Sequence, residues 1–257
     1  MKRLLAVLAT ATLAASAARA DLAAGDISIL GFRSDADDAF AFVTWQPLAE
    51  GASIFFTDHG AFDDGTWRSS ENTLQWTAPV GGLVVGTVVL VSCPDAGASA
   101  DVGTVTGNLN GLSSSGDQIF AGSAAFPTGS DTTKPGESYS GTLIYGLNFD
   151  GSSWAADSTS SSTSYLPPTL AGSYGNFALS EIDNSQYTGA RTGMTVSEFK
   201  AAIHNPANWT GSDDGSGFGA LNSGDFAVVP EPGSAALLGA AGLLMLAVRR
   251  RRPTATR

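Results

Sequence analysis

DISILGF at residues 26–32 is followed by FAFVTW at 40–45 and by SIFFT at 53–57. Apolar residues alternate in each segment, and a period of two is typical of a β-strand that buries one face. Further segments of this kind, separated by Gly, Ser, Asp and Pro, cover 73–77, 83–91, 102–106, 117–121, 142–146 and 176–180. Roughly nine or ten short strands with frequent turns predict a mainly β fold, an antiparallel β-sandwich or barrel, of which we take the sandwich.

One segment departs from this pattern and predicts a short helix over 196–204. Thr195 and Glu198 have the spacing of a capping box, in which each side chain bonds the backbone amide of the other residue. Pro206 prevents the helix from continuing. His204 falls in the last turn, where an imidazolium would face the negative end of the helix dipole, so we expect a capping role there.

The amino terminus has the features of a signal peptide. Basic residues precede a short apolar segment at 4–13, and Ala18 and Ala20 supply the small residues that signal peptidase requires before a cut at Asp21. The alternative is an uncleaved anchor, for which the apolar segment is short against the ~20 residues of a membrane span. We therefore expect residues 1–20 to form a signal helix that is removed by signal peptidase during Sec-dependent export.

The carboxyl terminus has three parts: a proline motif, an uncharged apolar run over 234–248 and a block of arginines. The motif and the block consist of Pro230, Glu231, Pro232, Gly233, Arg249, Arg250, Arg251 and Arg252. The run predicts a transmembrane helix with its arginine end in the cytoplasm and the preceding domain outside. Residues 235–248 would span only ~21 Å at 1.5 Å per residue. Because the hydrocarbon core is ~30 Å thick, we expect a removable tether rather than a permanent anchor.

This three-part order resembles the PEP-CTERM sorting signal of Gram-negative bacteria, here over 230–252. The resemblance implies that a membrane protease of the exosortase type cuts near the motif and releases or reattaches the product. Residues 253–257 would then be a cytoplasmic tail. The resemblance also implies that the protein is first held in the inner membrane, with the ectodomain in the periplasm. After processing, the protein would lie at the cell surface or outside the cell.

The preceding domain resembles uncharacterised bacterial surface domains that are similar to lamin-tail-like β-sandwiches. The segments that carry the resemblance are GDI at 25–27, GFRSD at 31–35, DAFAFV at 38–43, IFFTD at 54–58, GDQIF at 116–120, IYGLN at 144–148 and NPANW at 205–209. It implies a fold and a location, and it brings no catalytic residues. We predict an ectodomain over 21–210 and a flexible spacer over 211–229 that can hold a last strand. The serine-rich segment 152–165 is predicted to be another long surface loop.

Charge and cysteine content narrow the classes of function. Between residues 21 and 229 there are five basic and 23 acidic residues, hence a formal charge of −18. Such a surface repels phosphate backbones, which excludes nucleic acid as a partner. Cys93 is the only cysteine, so the exported domain has no internal disulfide, and we expect an inert, partly buried thiol.

Two clusters of carboxylates are candidates for a calcium site. Their members are Asp35, Asp37, Asp38, Asp58, Asp63 and Asp64. Calcium takes about six to eight oxygen ligands, which two such loops could supply together. The alternative is that these aspartates bond their own turns, as Asp commonly does. His59 is likewise either a metal ligand beside Asp58 or an ordinary turn residue.

Two classes of function remain open. The first is a non-enzymatic surface or extracellular-matrix protein associated with exopolysaccharide in a biofilm. The second is a secreted hydrolase with paired carboxylates, or a calcium-dependent glycan-binding module, in which Trp67, Trp76 and Trp154 would line a sugar groove. Those aromatic residues would fill a core as readily. The sequence has no nucleophile elbow, phosphate loop or dinucleotide fingerprint, so no organic cofactor is expected.

Overall fold

The computed structural model describes residues 21–35, 37–172, 174–215 and 218–231. These ranges contain β1 (Ile27–Arg33), β2 (Asp38–Thr44), β3 (Ser53–Thr57), β4 (Thr73–Thr77), β5 (Val88–Cys93), β6 (Ser99–Ala100), β7 (Thr104–Gly107), β8 (Gln118–Gly122), β9 (Leu143–Asn148), β10 (Asn176–Ala178), β11 (Asn184–Tyr187), β12 (Thr192–Met194), α1 (Val196–Ile203), β13 (Trp209–Ser212) and β14 (Ala227–Val228). In these ranges, no helix combines the length and apolarity needed to span a membrane. The predicted signal helix and the apolar run 234–248 lie outside the described residues.

The strands form two six-stranded sheets and one short pair. The first sheet has the order β13-β11-β1-β2-β5-β6, and the second has the order β10-β9-β8-β3-β4-β7. Neighbours are antiparallel except β9 with β10, and β12 with β14. The mainly β prediction is confirmed, and the first sheet is antiparallel as expected, but the second sheet is mixed and the strands outnumber the nine or ten expected. The strands β9 and β10 pair in parallel because the long crossover 149–175 returns the chain to the end of the sheet at which β9 begins, as parallel pairing requires.

The two large sheets pack against each other through an aromatic core. Phe40 and Phe42 of β2 approach Phe56 of β3 with ring centroids 4.7 and 5.2 Å apart. Phe42 also meets the edge of Trp76 on β4 at 5.3 Å. As the alternation predicts, one face of each large sheet lies in this central core. Other parts of the chain must cover the outer face of each sheet.

Helix α1 covers the outer face of the first sheet, which we call the helix-covered face. Phe199 of α1 stacks on Trp45 at 6.1 Å, and Phe226 meets both rings edge-on at 4.9 and 5.3 Å. The predicted capping box is confirmed: the Thr195 hydroxyl accepts from the Glu198 amide at 3.3 Å, and the Glu198 carboxylate accepts from the Thr195 amide at 2.8 Å. A short amphipathic helix thus closes this side of the molecule with aromatic side chains.

Three loops cover the outer face of the second sheet, which we call the loop-covered face. They are loop 58–72 between β3 and β4, loop 123–142 between β8 and β9, and loop 149–175 between β9 and β10. Phe120 of β8 is fully buried beneath them and meets the edge of Trp67 at 5.0 Å. Mostly irregular chain, with one short 3-10 helix at Pro168–Leu170, therefore closes this side.

The predicted loop 152–165 and the predicted spacer 211–229 both contain residues that contact the folded domain. In 152–165, Ser158 and Ser164 are buried, and the Ser164 hydroxyl accepts from the Ala61 amide at 2.9 Å. The predicted spacer 211–229 begins in β13 and ends in β14, and Phe226 within it is buried. Small polar residues can bond the backbone in this way, and composition alone does not reveal such bonds.

Candidate functional site: a groove between three loops

Arg68 joins the three loops of the loop-covered face into one structure. Its Nε donates to the Ser160 carbonyl and its Nη1 to the Thr132 carbonyl, both at 2.7 Å. The Arg68 amide also donates to the Gly60 carbonyl at 3.0 Å. A guanidinium presents several donors in a rigid fork, so one side chain can hold two neighbouring loops at once.

Polar contacts nearer the surface reinforce the same junction. Lys134 contacts Asp63 and forms an ion pair with Asp157 at 2.5 Å, which links one residue from each loop. The lysine lowers the pKa of Asp157. The Ser69 hydroxyl donates to the Glu137 carboxylate at 2.9 Å. Loops 58–72, 123–142 and 149–175 are thus cross-linked by charged and polar side chains.

The three loops leave a groove of about 570 Å³ between them. Its lining contains the buried side chains of Phe62, Trp67 and Leu143 and the half-buried rings of Tyr139 and Tyr165. Exposed Asp63, Asp64 and Thr169 add polar groups to the same lining. This volume lies within the ~300–1,000 Å³ range of ligand sites, which combine apolar surface with a few polar groups.

Stacking and hydrogen bonds hold parts of the aromatic lining in place. Tyr139 stacks on Phe126 with ring centroids 4.5 Å apart and an interplanar angle of 12°. Its hydroxyl accepts from the Ala124 amide at 3.2 Å. The Tyr165 amide donates to the Ala61 carbonyl at 2.9 Å, which fixes that part of the wall to loop 58–72. The groove therefore offers a flat ligand fixed aromatic contacts with carboxylates close by.

Below loop 58–72 lies a polar cluster that is sealed from solvent. Asp58, Asp117 and Gln118 are all at most 2% exposed. The Gln118 amide nitrogen donates to the Asp117 carboxylate at 2.9 Å, to the Ser161 carbonyl at 2.8 Å and to the Asp58 carbonyl. The Asp58 carboxylate accepts from the Asn72 amide at 2.8 Å. This cluster braces loops 58–72 and 149–175 from beneath.

Burial changes the protonation of these carboxyls. It raises the pKa of Asp58 to about 6, that of Asp38 to about 7 and that of Glu71 to about 8. Burial, reinforced by the charge of Asp58, also holds the pKa of Asp117 well above its ordinary value. Asp58 and Asp117 are out of solvent, Glu71 is half-buried, and none of the four carboxyls lines the groove. Their perturbed pKa values therefore reflect burial in the fold and not contact with a ligand in the groove.

The six predicted calcium ligands fall into separate environments. Asp35 accepts from the Asn184 side chain at 3.1 Å, and Asp38 accepts from the Leu112 amide at 3.1 Å. Asp37 lines a cleft of only about 80 Å³, Asp58 is buried, Asp63 binds Lys134, and Asp64 accepts from its neighbour Thr66. In the part of the chain that the structure describes, no three His, Cys, Asp or Glu residues are arranged to hold a metal ion. Calcium at these aspartates stays a prediction that gains no support here.

His59 is fully buried and His204 is half-buried. Neither ring nitrogen of fully buried His59 has a hydrogen-bond partner among the described residues, and burial lowers its pKa. His204 caps α1 as predicted, with its Nδ1 at 2.7 Å from the Lys200 carbonyl. A carbonyl only accepts, so Nδ1 carries the proton and Nε2 accepts from the Tyr145 hydroxyl at 3.2 Å. Burial lowers the pKa of His204, so the charged form expected from the helix dipole is not favoured.

Of the three tryptophans considered for a sugar groove, Trp67 and Trp76 are 3% and 0% exposed, which agrees with the core role that the sequence left open. Trp76 belongs to the central core, whereas Trp67 is buried and also lines the groove. Trp154 is half-buried and does not line the groove. Tyr139 and Tyr165 were missed, although an isolated aromatic residue in a loop of Gly, Ser and Pro is a signal that could have found them. The groove carboxylates Asp63 and Asp64 are consecutive, which is not the facing pair that a glycosidase needs.

Comparison with models of protein families, with curated proteins and with solved structures found no match to this chain. The functional inference therefore depends on the groove and on the sequence signals at the two ends of the chain.

Proposed function

We propose that this is an exported surface protein that binds glycan chains, such as exopolysaccharide, without catalysing a reaction on them. The observation that carries the proposal is the aromatic groove on the loop-covered face. Its rings come from three loops that Arg68 and Lys134 tie together. A preformed groove of this kind favours binding because little conformational freedom remains to be lost.

The chemistry of the lining suits a sugar ring. One face of a pyranose is rich in C–H groups, which can pack on the flat faces of Tyr139 and Tyr165. The hydroxyl groups at the ring edge can donate to carboxylates, and such charge-assisted bonds are the stronger ones. The formal charge of −18 over 21–229 opposes anionic polymers. We therefore propose neutral glycans as the preferred class of ligand.

Export and sorting are part of the same proposal. Signal peptidase and the Sec machinery would release the chain at Asp21, and an exosortase-type protease would act at Pro230–Gly233. The folded domain supports this arrangement because β14 ends at Val228, just before the motif. Mass spectrometry of the mature carboxyl terminus, with and without the protease, tests it. A terminus that still contains Arg249–Arg252 in cells with the protease would contradict it.

The binding proposal is tested with Tyr165→Ala. Removing one aromatic wall should weaken binding of a neutral oligosaccharide about tenfold, which corresponds to ~1.4 kcal/mol. Isothermal titration with purified protein measures the change. Tyr165→Phe should retain affinity because the ring is kept. Tyr174→Ala is the matched control, since Tyr174 is an exposed tyrosine that does not line the groove. Equal affinities of the Tyr165→Ala and Tyr174→Ala proteins would refute the proposal.

A further inference from the structure

Exposed valines surround the place where the chain leaves the folded domain. Val84 and Val229 are 73% and 39% exposed, and they are two of the four exposed large apolar residues in the described ranges. A shallow groove of about 420 Å³ lies at this place, and we call its valines the valine rim: Val84, Val85, Val196, Val228 and Val229. Pro230 and Glu231 complete the groove, so Glu231 is the only charged residue in its lining.

The chain is fixed to the domain up to the rim. The Asp225 carboxylate accepts from the Val88 amide at 2.8 Å, and the Phe226 amide donates to the Gly86 carbonyl at 2.9 Å. Gly86 has a positive φ of 88°, and a Cβ there would lie 2.4 Å from the Phe226 carbonyl oxygen. The Val229 amide donates to the Met194 carbonyl at 2.9 Å. No slack therefore separates the rim from the proline motif.

Only a few residues separate the rim from the apolar run, which limits how far from the membrane the domain can lie. From Glu231 to Ser234 the chain can extend by at most ~11 Å at ~3.6 Å per residue. The polar headgroup layer on each side of a bilayer is itself roughly 5–7 Å thick. We infer that the valine rim lies in the membrane interface while the tail is attached. This inference rests on the proposal that residues 234–248 enter the membrane.

The rim marks one end of the sandwich. It lies beyond the end of β4 at Thr77, whereas the pairing of Asp38 with Cys93 and of Thr57 with Thr73 marks the opposite end. A domain seated on its rim therefore holds loop 58–72 away from the membrane surface.

Depth-dependent fluorescence quenching tests the inference on the full chain. Purified full-length protein is reconstituted in vesicles of phosphatidylcholine and phosphatidylglycerol, with a polarity-sensitive probe on Val84→Cys or on Ser70→Cys. Ser70 is exposed in loop 58–72, beside the far strand ends, and serves as the matched control. Native Cys93 is 1% exposed and burial raises its pKa to about 12, so it stays unlabelled. Lipids with a nitroxide on the headgroup act as the quencher.

We expect the probe at position 84 to be quenched severalfold more than the probe at position 70. If the protein floats with the vesicles and both probes are quenched alike, the rim does not face the membrane, while the proposed tether stands. Cross-linking through position 84 between two copies, without lipid quenching, would assign the rim to a dimer and overturn the inference. If the protein does not float with the vesicles, both the tether and this inference are overturned.

Discussion

The helix-covered and loop-covered faces bury aromatic residues against the two sheets in different ways. On the helix-covered face, Phe199 and Phe226 are themselves the cover and pack directly on Trp45. On the loop-covered face, the cover is irregular chain that is held by Arg68 and Lys134. An apolar cover closes over its sheet, whereas a cover fixed by polar side chains can stand off and leave room for a ligand.

The largest expected effect separates the two faces. Phe199→Ala removes a fully buried ring from the helix-covered face, and we expect it to lower the free energy of unfolding by about 3–5 kcal/mol. The groove is built from other residues, so the affinity of the folded protein for its glycan should not change. Chemical denaturation and titration with ligand measure the two quantities. A loss of affinity in the protein that remains folded would contradict the independence of the faces.

Arg68→Ala should affect both stability and binding. The carbonyls of Ser160 and Thr132 would lose their charged donor. We expect a loss of about 2–4 kcal/mol in the free energy of unfolding, together with loss of glycan binding because the loops separate. Arg68→Lys is the control: it keeps the charge but loses the fork, so it should rescue only part of either property. Unchanged glycan binding by Arg68→Ala would show that the hydrogen bonds of Arg68 are not needed to hold the loops in place.

The pH dependence of stability should also distinguish the faces. The pKa values of Asp58, Glu71 and Asp117 are raised by burial under the loop-covered face. A carboxyl with a higher pKa in the folded than in the unfolded protein binds more protons when folded, so stability falls as pH rises through the folded pKa. We expect a loss on the order of 2 kcal/mol between about pH 6.5 and about pH 8.5. Burial lowers the pKa of His59 and His204, so the folded protein binds fewer protons at these two residues than the unfolded protein does. They therefore lower the free energy of unfolding only as pH falls through their unfolded pKa of ~6.5 and below.

Denaturation at the two pH values measures this loss, and Asp58→Asn is the matched variant. The side-chain amide oxygen that this substitution introduces can still accept from the Asn72 amide, while the charge that helps to raise the pKa of Glu71 and of Asp117 is removed. The variant should therefore depend less on pH than the parent protein. Equal pH dependence in both proteins would show that the buried cluster does not control it.

The sequence predicted those parts of the fold in which local patterns agree with the tertiary structure. Alternation located β1, β2 and β3, and the Thr195 capping box located α1. The strands β11 and β13 were missed because NSQY and WTGS are polar and short. They form because β1 offers an open edge to β11, and β11 in turn to β13, pairings that no local propensity reports.

The candidate groove was almost beyond prediction. It is made by three loops distant in sequence, and Arg68 contacts partners 92 and 64 residues away. Serine-rich composition predicted a surface loop at 152–165 but not the bond from the Ala61 amide to the Ser164 hydroxyl. Asp63 and Asp64 were identified for a different chemistry, and of the three tryptophans considered for a sugar groove only Trp67 lines it. Contacts between residues so far apart in sequence depend on the fold, and no motif of fixed spacing reveals them.

Hydrogen exchange with and without ligand tests the central claim most directly. When a neutral oligosaccharide is added to the folded protein, we predict slower exchange of backbone amides in loops 58–72, 123–142 and 149–175, with no change in α1. The amides of Tyr165 and Trp67, which bond the Ala61 and Glu137 carbonyls beside the groove, should be among those protected. Protection confined to α1, or protection absent from all three loops in a protein that binds the sugar, would contradict the assignment of the groove as the binding site.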